Sequence, residues 1–253
     1  MDAAPAADHA VQVYGDLDEL AASVGRFVDA GVRGGEPALL IATAEHRPAF
    51  AAEVERRGRN PEELEEQGLL AWYDAEEALA ACMDGDRPSA ERFEQTVGGA
   101  VDELARRFPK RTIRAFGEMV DVLVRRGLDT AAIELEELGN ELARTRRVAI
   151  LCAYELDIFD LDAQRSVLPE VFRVHRHRRA AADPGKLAAA VDDALTDVVG
   201  RDAAARIYLR VAEEVPRSEL PRAQAVLAWL SAREPVTARR VLGGARMRYA
   251  TGV

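Results

Sequence analysis

Arg111-Thr-Ile-Arg-Ala-Phe-Gly-Glu-Met-Val-Asp121 joins a β-branched and aromatic run, Thr112 to Phe116, through one glycine to a helical stretch from Glu118 to Arg126. A strand, a glycine and an acid-bearing helix start make a βα unit. Glu118 and Asp121 fall just past the carboxyl end of the strand, where open α/β sheets keep their ligand crevice. Three residues apart on a helix, they share a face. First-turn acids also complement the helix dipole. The pattern by itself therefore leaves a catalytic acid, a ligand-reading acid and a helix-starting acid all open.

Outward from this stretch, apolar runs alternate with amphipathic ones. His9–Tyr14, Pro37–Ala42, Leu69–Tyr73, Thr112–Phe116 and Val148–Tyr154 read as strands, and Val171–His175 as a sixth. Helices are expected from Leu17 to Ala30, closed by Gly31, and over 47–57, 89–108, 118–126 and 130–145, with a short one starting at Asn60-Pro61 and another carrying Cys82. Asp74 and Asp129 are the expected caps of the helices that follow them, and Ser89 opens its own. Strands separated by helices predict a mainly parallel sheet covered on both faces. Beyond Asp183 the pattern becomes wholly helical, over about 186–199, 203–215, 220–233 and 236–249, punctuated by Pro216, Pro221 and Pro235. The expectation is an α/β domain over residues 1–182 and a helical region over 183–253 for output, packing or oligomerisation.

The chain has 253 residues and a formal net charge of −10, so as a whole it is not built to coat nucleic acid. Its tail departs from this, with ten Arg against five Asp or Glu from Arg201 onward. Two helices joined at Glu234-Pro235 have helix-turn-helix proportions, and Arg239, Arg240, Arg246 and Arg248 would give the second a basic surface. Gly243-Gly244 interrupts that helix, which makes packing or self-association the favoured reading over nucleic-acid contact. The two cysteines, Cys82 and Cys152, show no metal-ligand spacing and read as a reduced pair. No signal peptide or membrane span is apparent, so a cytoplasmic protein without a membrane partner is expected.

Phosphate chemistry is disfavoured by the first βα turn. It reads Tyr14-Gly-Asp-Leu-Asp-Glu19, with acids where a glycine-rich loop and lysine would cradle phosphate. These acids either cap the helix or wall a pocket. No Gly-x-Ser-x-Gly elbow is present, and Cys152 sits in an apolar strand as core. Tyr154 leaves the sheet where it can offer a phenol to the crevice or simply pack. His9, His46, His175 and His177 are scattered, so no metal site and no cofactor are assigned. His175-x-His177 in a strand would put both rings on one face, within a basic edge.

His9…Tyr14, Gly31-x-x-Gly-Gly-Glu-Pro-Ala-Leu-Leu-Ile-Ala42, Gly68-Leu-Leu-Ala-Trp-Tyr-Asp74, Gly117-Glu-Met-Val-Asp121, Leu135-Glu136…Asn140 and Leu151-Cys-Ala-Tyr154 resemble the MEDS family. This is the sensory domain of dichloromethane-responsive-type regulators and of many bacterial signalling proteins. The resemblance spans about residues 8 to 180. It implies a three-layer, RecA/KaiC-like fold that has lost its phosphate loop, and a non-catalytic domain sensing small organic, hydrocarbon-like molecules. It carries over His9, Tyr14, Glu118, Met119, Asp121, Glu136, Asn140 and Tyr154, with His175 or His177 as a late match. Gly139 departs from it, standing where the family often has a large aromatic.

The expected function is thus a sensor that takes a small organic ligand and signals to transcription, a partner protein or a second copy of itself. His9, Tyr14, Asp16, Glu118, Met119, Asp121 and Tyr154 are the expected ligand residues. The alternatives are a divergent nucleotide- or metal-dependent hydrolase using Glu118, Asp121 and a histidine, and a DNA-binding regulator acting through the basic tail.

Overall fold

The computed structural model describes residues 9–181, 183–215 and 220–251. The N-terminal octapeptide, the expected boundary at residue 182 and the break at Pro216 lie outside the described residues. The chain divides into two compact units, Met1–Glu155 and Leu156–Val253.

The first unit alternates strands with helices: β1 (His9–Tyr14), α1 (Leu17–Arg33), β2 (Ala38–Ala42), α2 (Arg47–Arg56), α3 (Pro61–Glu66), β3 (Leu70–Asp74) and α4 (Ala75–Cys82). A two-residue hairpin, β4 (Met83–Asp84) with β5 (Arg87–Pro88), precedes α5 (Ala90–Phe93), a π-helical turn (Glu94–Gly98) and α6 (Gly99–Arg107). Then come β6 (Ile113–Gly117), α7 (Met119–Arg125), α8 (Asp129–Thr145) and β7 (Val148–Glu155). The five long strands run in the order β3-β2-β6-β7-β1 and every pairing is parallel. The α/β class read from the sequence is therefore what the chain adopts.

Residue alternation sorts the sheet into two faces. Tyr14, Leu40, Ala42, Phe116 and Ala153 pack with Leu20, Val24 and Val28 of α1 and Phe50 and Val54 of α2. Phe50 meets Phe116 edge-on, with centroids 5.2 Å apart. Cys152 and Tyr154 point the other way and bond to Glu136 of α8.

Asp74 caps its helix as expected, and Asp16, Asn60 and Ser89 also act as caps, each side chain accepting from a backbone N–H of the first turn. Asp129 instead begins α8, behind Leu128. Gly31 does not close α1, which continues to Arg33. It is a packing glycine: a Cβ there would stand 2.5 Å from Cδ of Arg114, whose guanidinium pairs with Glu36 at 2.8 Å.

The second unit holds α9 (Leu161–Arg165), α10 (Val167–Val174), β8 (His177–Arg179), α11 (Pro184–Val199), α12 (Arg201–Glu214), α13 (Arg222–Arg233) and α14 (Pro235–Thr251). The strand expected over Val171–His175 is wrong. Val167, Leu168, Val171 and Phe172 form one buried helical stripe, and that period outweighs the β-branched composition of a five-residue window. His175 follows α10, its Nδ1 2.7 Å from the carbonyl of Val171, while His177 is exposed in β8. The two rings do not share a strand face. Gly243-Gly244 does not interrupt α14 either. A Cβ at Gly244 would lie 3.2 Å from that of Ala194, so the glycine permits close approach to α11. Among the described residues no helix is long and apolar enough to cross a membrane.

Gly25 carries the tightest approach between α1 and α2, because a Cβ there would stand 2.3 Å from Cγ of Glu53. Glu53 is buried and held by Arg56 and Arg57 at 2.5 and 2.6 Å, so it cannot swing aside freely. Gly25→Val is expected to cost about 1–3 kcal/mol in urea unfolding, the overpacking range. An unchanged midpoint would show that α1 and α2 are not locked at this point.

Candidate functional site

In this sheet the connections part at neighbouring strands. β2 leads to α2, on the Phe50 face, while β6 leads through α7 to α8, on the Cys152 face. Such a parting marks the ligand crevice of an open α/β sheet, and Glu118 sits across it.

The backbone of Glu118 lies in the bridge region, φ −110° and ψ 0°, and its N–H continues the ladder to the carbonyl of Ile41 at 3.0 Å. Its fully buried carboxylate turns to the β2–α2 turn. Oε2 accepts from the Thr43 N–H at 2.7 Å and from the Thr43 hydroxyl at 3.3 Å, and Oε1 lies 2.6 Å from Nδ1 of His46. Glu118 makes no side-chain cap to α7. It is a latch between two strand ends, and its partners Thr43 and His46 belong to no motif a sequence reader would single out.

Asp121, one turn into α7, is almost fully buried. Its Oδ1 accepts from the Glu155 N–H at 2.8 Å, and its Oδ2 lies 3.1 Å from Nε of Arg125 without a hydrogen bond of acceptable geometry. Burial pushes its pKa up to about 6 against the Glu155 N–H and Arg125, with a smaller push from Glu118. Tyr14 ends β1 beside Glu155 in register, its ring edge-on to His46 with centroids 6.3 Å apart. Its hydroxyl is buried without a hydrogen-bond partner among the described residues. Its pKa is raised by burial and then by the charges of Asp121 and Glu118. An unmet buried donor or acceptor costs roughly 1–3 kcal/mol, so the Tyr14 hydroxyl calls for an explanation.

The remaining expected residues fall elsewhere. Met119 is buried at the start of α7. Asp16 is exposed and caps α1, its Oδ1 accepting from the Asp18 N–H at 2.7 Å, so in this structure its carboxylate is occupied as a helix cap. His9 and Tyr154 lie on the opposite sheet face from Tyr14. The Tyr154 hydroxyl donates to Oε1 of Glu136 at 2.7 Å. His9 Nδ1 lies 3.0 Å from Oδ1 of Asn140 and its Nε2 3.1 Å from Sγ of Cys152. Gly139 leaves room for that ring, since a Cβ there would stand 3.2 Å from Cε1 of His9. His9, Glu136 and Cys152 have donor atoms close enough to share a cation. Burial and the Glu136 carboxylate push the Cys152 thiol well up, away from nucleophilic use. In the tail, Arg246 pairs with Asp157 at 2.5 Å and Arg248 with Asp197, which leaves Arg239 and Arg240 as the exposed arginines of the proposed basic surface with no such pair among the described residues.

Two outcomes follow. The Asp121 pKa is raised on folding, so its contribution is most favourable below about pH 4 and is lost as pH rises to about 6, a swing of about 3 kcal/mol. Asp121→Asn keeps the acceptor for Glu155 but cannot ionise. Urea unfolding from pH 4 to 7 should show the variant gaining on the parent by about that amount, and a constant difference would contradict the assignment. Glu118→Gln sets an amide donor against Thr43 or His46 and should cost about 1–3 kcal/mol at neutral pH. Unchanged stability would mean that the latch carries no weight.

A comparison with curated proteins finds no match. The sequence model of one family, described as MEDS, the MEthanogen/methylotroph, DcmR Sensory domain, matches residues 8–176. That span covers both strand-end acids, the Tyr14 hydroxyl and the His9 cluster, and more than half of the chain: this protein belongs to the MEDS family of sensory domains.

Proposed function

We propose that the chain is a non-catalytic sensor that binds a small organic molecule at the carboxyl ends of β1, β6 and β7 and signals through its C-terminal helices to a partner. The observation that carries this reading is the buried Tyr14 hydroxyl, which has no hydrogen-bond partner among the described residues and stands at the edge of an apolar cluster, with the buried Asp121 carboxylate at the same strand ends. A site that is mostly apolar with a few convergent polar groups is the usual anatomy of small-molecule recognition. The ligand it suits has a compact apolar body and one hydrogen-bonding group for Tyr14 and Asp121.

Hydrolysis is less well supported. Glu118, the residue best placed to act as a base, has both oxygens occupied by Thr43 and His46. The acids Asp16, Asp18 and Glu19 at the start of α1 oppose an anion where a nucleotide phosphate would dock. DNA contact through α14 would have to rely chiefly on Arg239 and Arg240.

Native mass spectrometry of freshly purified full-length protein, followed by thermal-shift screening with short-chain alcohols and halogenated alkanes, tests this reading. The expected result is a co-purified small molecule or a stabilising compound whose effect disappears in Tyr14→Phe, with no response to ATP and Mg²⁺. A ligand-free mass together with a flat screen, or stabilisation by ATP, would overturn it.

A further inference from the structure

On the opposite face of the sheet lies a second polar cluster that the sensing site does not use. His9 opens β1, Cys152 lies on the neighbouring β7, and Glu136 projects from α8 above them. All three are buried. Their contacting atoms form a nearly equilateral triangle: His9 Nε2 to Cys152 Sγ is 3.1 Å, His9 Nε2 to Glu136 Oε2 is 3.1 Å, and Cys152 Sγ to Glu136 Oε2 is 3.2 Å.

Asn140 Oδ1 is an acceptor, so the contact at 3.0 Å uses the hydrogen on His9 Nδ1 and turns Nε2 towards Cys152 and Glu136. Glu136 Oε1 accepts from the Tyr154 hydroxyl, so Oε2 is the oxygen that faces the triangle. An imidazole nitrogen, a carboxylate oxygen and a thiol thus meet at one buried point, close enough to share a cation.

We propose that His9 Nε2, Glu136 Oε2 and Cys152 Sγ form a binding site for a divalent transition cation of the zinc class. Imidazole, carboxylate and thiolate are the donor types that zinc takes. Bonds of about 2.0–2.3 Å in tetrahedral array separate donors by roughly 3.3–3.7 Å, so these need to spread by only a few tenths of an ångström. Asn140 fixes the ring and tautomer that direct Nε2 at the ion, the usual outer partner of a ligating histidine. Gly139 gives the ring its space. On binding, Cys152 loses its thiol proton to solvent and the cation takes its place, so uptake strengthens as pH rises. This assignment is independent of the organic ligand, because the Tyr14 hydroxyl and the His9 cluster occupy opposite faces.

The test is a cobalt(II) titration of the full-length protein, stripped by chelator and kept reduced, followed by displacement with zinc. The expected result is one equivalent of cobalt per chain with a near-ultraviolet thiolate-to-cobalt charge-transfer band that zinc abolishes. Cys152→Ser should lose the band, Cys82→Ser should keep it, and Asn140→Ala should weaken zinc binding by about 10–100-fold. The parent protein alone decides the main point, even if a variant fails to fold. Absence of the band there overturns the proposal, as does a band that survives Cys152→Ser.

Discussion

A single buried carboxylate, Glu118, ties together the strand ends at which this α/β sheet would otherwise open. The connections from β2 and β6 lead to opposite faces, so their first residues are drawn apart, and Glu118 spans the gap to Thr43 and His46. A buried charge is tolerated only when its lone pairs are met; here two hydrogens from Thr43 and one from His46 meet them. Removing one member of such an arrangement is far more costly than never having built it. Tyr14 leans on His46, and Asp121 follows Glu118 on α7, so the geometry of the proposed site rests on this latch.

The two sheet faces divide the polar chemistry between them. On the α1–α2 face apolar side chains pack around Tyr14, whose hydroxyl has no hydrogen-bond partner among the described residues. On the α8 face a polar cluster is built into the core, with Glu136 joined to both Cys152 and Tyr154. Asp121 belongs to the strand ends, where burial makes its ionisation costly near pH 6. Each cluster draws on strands and helices far apart in the chain, as expected where the sheet, rather than a contiguous motif, does the positioning.

How much of this could be read from the sequence differs by element. The five long strands were legible because each is a short apolar or β-branched run, four of them with Gly, Pro or Asp at an end, and every expected edge lies within one residue of the observed one. The cap at Asp74 and the helix starts at Asn60 and Ser89 were legible because these side chains act on their own first turn. Val171 to His175 was misread because five residues are too few to separate a helical stripe from a β-branched run. Gly31 and Gly244 read as breaks because only the fold reveals the Arg114 and Ala194 side chains against them. Glu118 and Asp121 were singled out, but their roles depend on Thr43, His46 and Glu155, tens of residues away. The His9–Cys152 contact spans 143 positions, and no local pattern announces it.

Amide hydrogen exchange at Thr43 measures the latch most directly, because this N–H lies just beyond β2 and its acceptor is the Glu118 carboxylate. Protection equal to that of the β2 amides Leu40 and Ile41 is the predicted result, since opening the turn then requires opening the sheet end. Exchange at the rate of an open turn would contradict the account.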